Sequence, residues 1–250
     1  MVDALVSGTS AARCGGSSPL SRTKQKRPGK LVFFDALVIL RPMSDPMYAA
    51  VEDSYDNMSQ AYFDDTDEAS IFPNQICDFA DSLQPKSSIL NIGGTLGECR
   101  YFVERGFEVT DVDISKSMLD HITTVLPKVK TMHGNVADIE LPNVDAIWAC
   151  RSLIHVVPAD IDMVLRRLHA SLNPGAMFGA IIFIIDKSEL GEERIPEWQT
   201  NKPGTTYYRV LYPAQTFVSK VKAAGFKLIT NAPCVDNDGD PAYYIRAARV

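Results

Sequence analysis

The stretch Ile89–Leu119, ILNIGGTLGECRYFVERGFEVTDVDISKSML, constrains this chain more than any other. An apolar run ends in glycines, an amphipathic segment follows as far as Arg105-Gly106, and a second apolar run ends at Asp113. A strand that passes through glycine into a helix turns backbone N–H groups and the positive helix end toward one point, and glycine lets a ligand approach the backbone closely. An acid closing the next strand, twenty residues past Gly93, stands where a carboxylate accepts both hydroxyls of a ribose. Together these features predict a parallel β-α-β start and an adenosine-containing ligand.

From Met47 onward, strand-like apolar runs alternate with amphipathic segments, which predicts an α/β fold: a Rossmann-like seven-stranded sheet with helices on both faces. The expected strands are Ser88–Ile92, Glu108–Val112, Lys130–His133, Val144–Ala149 and Met177–Ile185, then two late ones at Lys227–Ile229 and Tyr243–Ala247. The last is expected to be antiparallel at an edge. Helices are expected at Cys99–Arg105, at Ile161–Leu172 closed by Asn-Pro-Gly, and at Pro213–Ala224 stopped by Gly225. A nucleotide site at the switch between the first and fourth strands requires the order 3-2-1-4-5-7-6.

Composition narrows the partners. Residues 1–46 read as an N-terminal extension, rich in Ser, Gly and basic residues, and its apolar run Leu31–Leu40 is too short to span a bilayer. It carries seven Lys/Arg against three acids, which leaves the 47–250 domain 18 basic and 28 acidic residues, a net charge of −10. Such a surface repels phosphate backbones, so a small-molecule acceptor is expected, with no nucleic acid and no membrane. The five cysteines are scattered without a CxxC pair and fit a reducing, cytoplasmic setting. The four histidines are equally dispersed, and no metal is expected.

With these motifs in view, the chain resembles the class I S-adenosylmethionine-dependent methyltransferases, in particular their bacterial-type small-molecule branch. The resemblance runs from Tyr55 to the C-terminus through SYDNMSQAYFDD, the glycine loop, VDISKSML, HGNVADIELPNVDAIWACRSLIHV, RRLHASLNPG and TTYYRVLYPAQTFVSKVKAAGF. It implies S-adenosylmethionine as cofactor. The loop residues Asn91, Gly93, Gly94 and Thr95 would face its methionine end, and Asp113 its ribose. Ile114, Met118, Asn135 and Val136 would lie along its adenine, and at least one of Tyr55 and Tyr62 on the N-terminal helix would line the pocket. One departure concerns the loop itself: the family's first strand ends in an acid followed by GxGxG, whereas here Asn91 precedes Gly93-Gly94-Thr95-Leu96-Gly97. The neutral Asn91 would weaken the contact with the cofactor's ammonium group, and an aspartate there would be expected to strengthen it.

His155 and Arg151 follow the fourth strand, at the mouth of an open α/β sheet, and are the catalytic candidates. His155 can take a proton from an acceptor hydroxyl or amine or serve a structural role, and Arg151 can pair with an acceptor carboxylate or with a surface acid. The segment Asp186–Pro213, with Trp198, Tyr207, Tyr208, Arg209 and Tyr212, reads as a long binding loop. Methyl transfer to a small molecule is thus the leading expectation, and a non-catalytic member of the same fold is the alternative. A nicotinamide dehydrogenase is disfavoured by the missing GxGxxG.

Overall fold

The computed structural model describes residues 46–66, 71–184, 197–199, 206–237 and 239–250, with the side chains of 60–66, 197–199 and 206–208 left aside. The N-terminal extension therefore lies outside the described residues.

Local chemistry places the first elements. Helix α1 (Pro46–Thr66) precedes α2 (Pro73–Asp81), which opens with a proline at its first position, where no N–H is needed. Strand β1 (Ser88–Ile92) runs through the glycines into α3 (Leu96–Glu104). Thr95 caps that helix: its hydroxyl accepts from Glu98 N at 3.2 Å, and the Glu98 carboxyl accepts from Thr95 N at 3.2 Å. Strand β2 (Glu108–Asp113) leads to α4 (Lys116–Val125), capped by Ser115. Then come β3 (Lys130–His133), β4 (Val144–Cys150), α5 (Ile161–Ser171), β5 (Leu172–Phe183), the short β6 (Glu197–Gln199) and β7 (Thr206–Tyr208), α6 (Ala214–Ala223), β8 (Phe226–Val235) and β9 (Pro241–Arg249).

The main sheet has the order β3-β2-β1-β4-β5-β9-β8, which is the expected 3-2-1-4-5-7-6 once the late strands are counted sixth and seventh. Five strands are parallel, and β9 runs antiparallel to both β5 and β8. The chain's last strand is therefore inside the sheet, and β8 forms the edge. The reason lies in the residues: Ala242–Ile245 are buried in succession, whereas most of β8 is exposed or half-exposed. The fifth strand also begins earlier than Met177, because Leu172 already pairs with Val144 and the register then shifts before Ala146 meets Met177. The Asn-Pro-Gly that was expected only to close the helix is thus carried as an irregularity at the head of β5. Segment 186–213, expected to be a loop, contains the β6–β7 hairpin; its residues 186–196 and 200–205 are outside the described set.

A hydrophobic layer covers each face. On one side Leu90, Ile147, Phe178 and Ile245 pack with Leu165 and Phe217 of α5 and α6; on the other Ile89, Trp148 and Tyr244 pack with Phe79 and Phe102 of α2 and α3. This two-faced burial leaves the C-terminal ends of β1, β2 and β4 as the place where backbone and polar groups can meet a ligand. Among the described residues no helix is long and apolar enough to cross a membrane, and no cluster of His, Cys, Asp or Glu could hold a metal ion.

Candidate active site

A cleft partly open to solvent lies at those strand ends. Its floor is the strand-to-helix turn. Gly93 has φ +61°, its N–H donates to Val112 O at 2.7 Å, and a Cβ there would stand 2.8 Å from Ser152 Cβ and 3.9 Å from Asp113 Oδ2. A side chain would fill the space into which Asp113 faces. Asp113 accepts from Ser115 N through Oδ1 at 2.7 Å, and burial, with the Asp56 carboxylate adding to it, pushes its carboxyl up to about 7. Ile114 and Met118 line the wall after β2, and Asn135 and Val136 line it after β3. Asn135 Oδ1 accepts from Ala137 N at 2.9 Å, and the Arg167 guanidinium holds the carbonyls of Ala137 and Ile139, fixing this loop from behind.

Helix α1 forms the cover. Tyr48, Val51 and Tyr55 face the cleft, spaced as one helical stripe. Polar clasps hold the helix: Ser115 Oγ and Ser117 N donate to Asp56 Oδ1 at 2.6 and 3.1 Å, and Tyr48 Oη donates to Asp160 at 3.0 Å. Partial burial acts to raise the Asp56 carboxyl, but the Ser115 and Ser117 donors hold it below the usual carboxylate range. The third clasp joins Tyr55 Oη and His155 Nε2 at 3.0 Å, with the rings edge to face. Tyr62 lies two turns further along α1, and its side chain is outside the described residues.

The opposite wall follows β4. Arg151 has φ +55°, an uncommon backbone state for a side chain of this size and a form of strain that collects at functional sites. Its guanidinium lies 3.9 Å from Asp236 and 5.4 Å from the Phe183 ring centre, with Arg209 on the same ring at 5.0 Å.

Nine of the residues singled out from the sequence as cofactor-binding or catalytic thus meet in one cleft: Tyr55, Gly93, Asp113, Ile114, Met118, Asn135, Val136, Arg151 and His155. Three others do not line it. Asn91 is fully buried beneath the loop, where its Nδ2 donates to Cys99 Sγ at 3.4 Å; Gly94 lies above it; Thr95 is occupied as the α3 cap. Sequence reasoning missed Tyr48, Ser152 and Phe183. The i, i+3, i+7 spacing of Tyr48, Val51 and Tyr55 would have found the first, but nothing local marks the other two, which arrive from the ends of β4 and β5. Cys150 is buried and also borders the cleft.

The Asp113 carboxyl sets a pH dependence. A ligand that needs it ionised to accept two hydroxyl protons should bind about tenfold more weakly at pH 6 than on a plateau above pH 8, because only about a tenth of the group is ionised one unit below 7. Titration calorimetry across this range checks it, and Asp113→Asn should show no such slope.

Residues 89–175 match the family described as Methyltransferase domain. Carboxy-S-adenosyl-L-methionine synthase of Shewanella oneidensis is 25% identical over 155 residues, covering 53% of this chain and 64% of that protein, so the match spans less than two thirds of that curated relative. Among solved structures, 1,6-didemethyltoxoflavin-N1-methyltransferase of Burkholderia thailandensis, with bound 1,6-didemethyltoxoflavin and S-adenosylhomocysteine, superposes with a TM-score of 0.66 at 18% identity, over 83% of this chain and 92% of that one. The [4+2]-cyclase SpnF superposes with a TM-score of 0.62 at 14% identity, over 80% and 94% of the two chains. At such identities the likeness to the solved structures establishes the fold.

Proposed function

We propose that this chain, a member of the class I S-adenosylmethionine-dependent methyltransferases, binds S-adenosylmethionine against Gly93 and Asp113 and transfers its methyl group to a small-molecule acceptor. The observation that carries this reading is the convergence of Gly93, Asp113, Ile114, Met118, Asn135 and Val136 on one cleft, although they come from three separate strand ends. Asp113 offers a carboxylate to the ribose, Ile114 and Met118 an apolar wall to the adenine, and Asn135 and Val136 its rim. When bound, the cofactor supplies a methyl group already activated on a sulfonium. The protein's task is then to orient the acceptor, exclude water under α1 and, for an oxygen or nitrogen acceptor, remove a proton.

His155 and Tyr55 are suited to the last step, since their shared hydrogen bond places a titratable nitrogen and a hydroxyl at the cleft wall. His155→Gln should lower kcat about tenfold, below the usual ~10²–10⁴ for a general base because the leaving group is already reactive, while S-adenosylhomocysteine affinity changes by no more than about threefold. Steady-state kinetics with an identified acceptor checks the split. The acidic 47–250 region, net −10, favours a small acceptor over a nucleic acid. Incubation with methyl-labelled S-adenosylmethionine and a fraction of metabolites below about 1 kDa should label a small molecule; label found only in protein or RNA would refute the small-molecule reading.

One observation favours a second reading, a cofactor-binding member without methyl transfer: Asn91 and Thr95 stand at departures from the family's loop pattern, and both are engaged inward. The similar fold of a protein described as a [4+2]-cyclase is compatible with it. Tight binding of S-adenosylhomocysteine without labelling of any acceptor would favour this alternative.

A further inference from the structure

Beneath the glycine loop lies a buried polar cluster that the proposed chemistry does not use. Asn91 and Asp111 are directly paired across β1 and β2, and both are 0% exposed. The Gly94 backbone rests on them: its N–H donates to Asp111 Oδ1 at 3.2 Å, and a Cβ at Gly94 would fall 1.7 Å from Asn91 Nδ2 and 2.4 Å from Asp111 Oδ1. Cys99 Sγ contacts both, at 3.4 Å from Asn91 Nδ2 and 3.7 Å from Asp111 Oδ1. Yet among the described residues Asn91 Oδ1 and Asp111 Oδ2 have no hydrogen-bond partner. Two neighbouring buried acceptors facing no donor are costly, and one proton on the aspartate turns the pair into donor and acceptor.

We propose that Asp111 is a neutral carboxylic acid whose hydroxyl hydrogen-bonds Asn91 Oδ1, and that this pair is the seat that positions the glycine loop for its ligand. The nearby acids divide accordingly. Burial pushes the Glu98 carboxyl of α3 up, and its donors act against that rise: Trp148 Nε1 of β4 and Thr95 N, each at 3.2 Å, and the Cys150 thiol. Asp113, two residues along β2, must carry charge to serve a ribose. An ionised Asp111 would be buried two residues from the charge that Asp113 needs for its ligand. Burial, with Asp113 and Glu98 adding to it, pushes the Asp111 carboxyl well above the carboxylate range. Asn91 is then the partner that a protonated acid needs, and an aspartate at 91 would not restore a ligand contact. It would place a second carboxyl against the first.

The test uses three variants of the full chain. Asp111→Asn keeps an acceptor for Gly94 N and gains a donor for Asn91 Oδ1. Because the wild type must retain a proton to fold and the unfolded aspartate releases it, wild-type stability falls as pH rises above about 4, and the variant escapes this loss. Asp111→Asn should therefore melt at or above the wild type at pH 8, with the gap closing toward pH 5, and should bind S-adenosylhomocysteine within about threefold of it. Asp111→Ala, which removes both functions, should bind at least about tenfold more weakly. Asn91→Asp should melt below the wild type at pH 8 and recover as the pH falls to 5. Infrared spectra of the wild type at pH 8 should show a protonated-carboxyl band that Asp111→Asn lacks. The binding arm rests on the cofactor reading; the melting and infrared arms do not, so a wild type that fails to bind S-adenosylhomocysteine leaves them decisive. The inference is overturned if Asp111→Asn melts below the wild type by a margin that grows with pH, or if the carboxyl band is absent.

Discussion

Gly94→Ala is expected to destabilise the protein by about 3 kcal/mol, lowering Tm by roughly 6–12 °C, and to abolish cofactor binding under conditions where the wild type is saturated. The new methyl would stand 1.7 Å from Asn91 Nδ2 and 2.4 Å from Asp111 Oδ1. Those side chains are buried against Cys99 and the two paired strands, so neither can swing aside without losing its hydrogen bonds. The loop must lift instead, and Gly93, the next residue back, moves with it. Thermal unfolding followed by calorimetry measures the first effect and ligand titration the second. Gly175, which among the described residues has no atom within 4 Å of an added Cβ but a φ of +81°, provides a control in which backbone strain is introduced, expected near 1 kcal/mol.

Asp113→Ala should weaken S-adenosylhomocysteine binding by about ten- to a hundredfold, or ~1.5–3 kcal/mol, as expected for a carboxylate that accepts two hydroxyl protons in a partly buried site. The same carboxylate lies two residues before the α4 cap and accepts from Ser115 N at 2.7 Å. Its loss therefore also slackens the turn that presents Ile114 and Met118 to the cleft. The variant should remain folded, because the Ser115 side chain still caps α4 at Met118 N and still donates to Asp56 on α1. Titration calorimetry on wild type and variant separates the outcomes: an unchanged dissociation constant would place the ribose elsewhere, and a loss confined to pH above 7 would show that charge on Asp113 is what the ligand reads.

How far the sequence reached depended on whether a residue's role was local. The strand-glycine-helix turn, the acid after β2 and the alternation of apolar runs are local patterns, and from them the sheet order, the position of the cleft and the walls at Asp113, Met118 and Asn135 followed. Asn91 was misjudged because its partner is not near it in the chain. Only the β1–β2 register brings Asp111 alongside, and that pairing changes Asn91 from a weakened ligand contact into part of the loop's seat. Thr95, expected to face the ligand, instead caps α3, where its side chain is spent on Glu98 N. The place of β9 inside the sheet followed from the expected order 3-2-1-4-5-7-6 and agrees with its apolar run, whereas the separate expectation of a last strand at an edge did not hold. Phe183 and Ser152 join the cleft from separate strand ends, and no spacing in the sequence marks such a convergence.

The central claim, that the cleft between Gly93 and Asp113 holds S-adenosylmethionine, is tested most directly by titrating the wild-type protein with S-adenosylhomocysteine at pH 8 in a calorimeter. One site per chain with a dissociation constant between about 1 µM and 1 mM, weakened by Asp113→Ala, is the predicted result. No heat of binding from either S-adenosylhomocysteine or S-adenosylmethionine at millimolar concentration, with the protein shown to be folded, would contradict it.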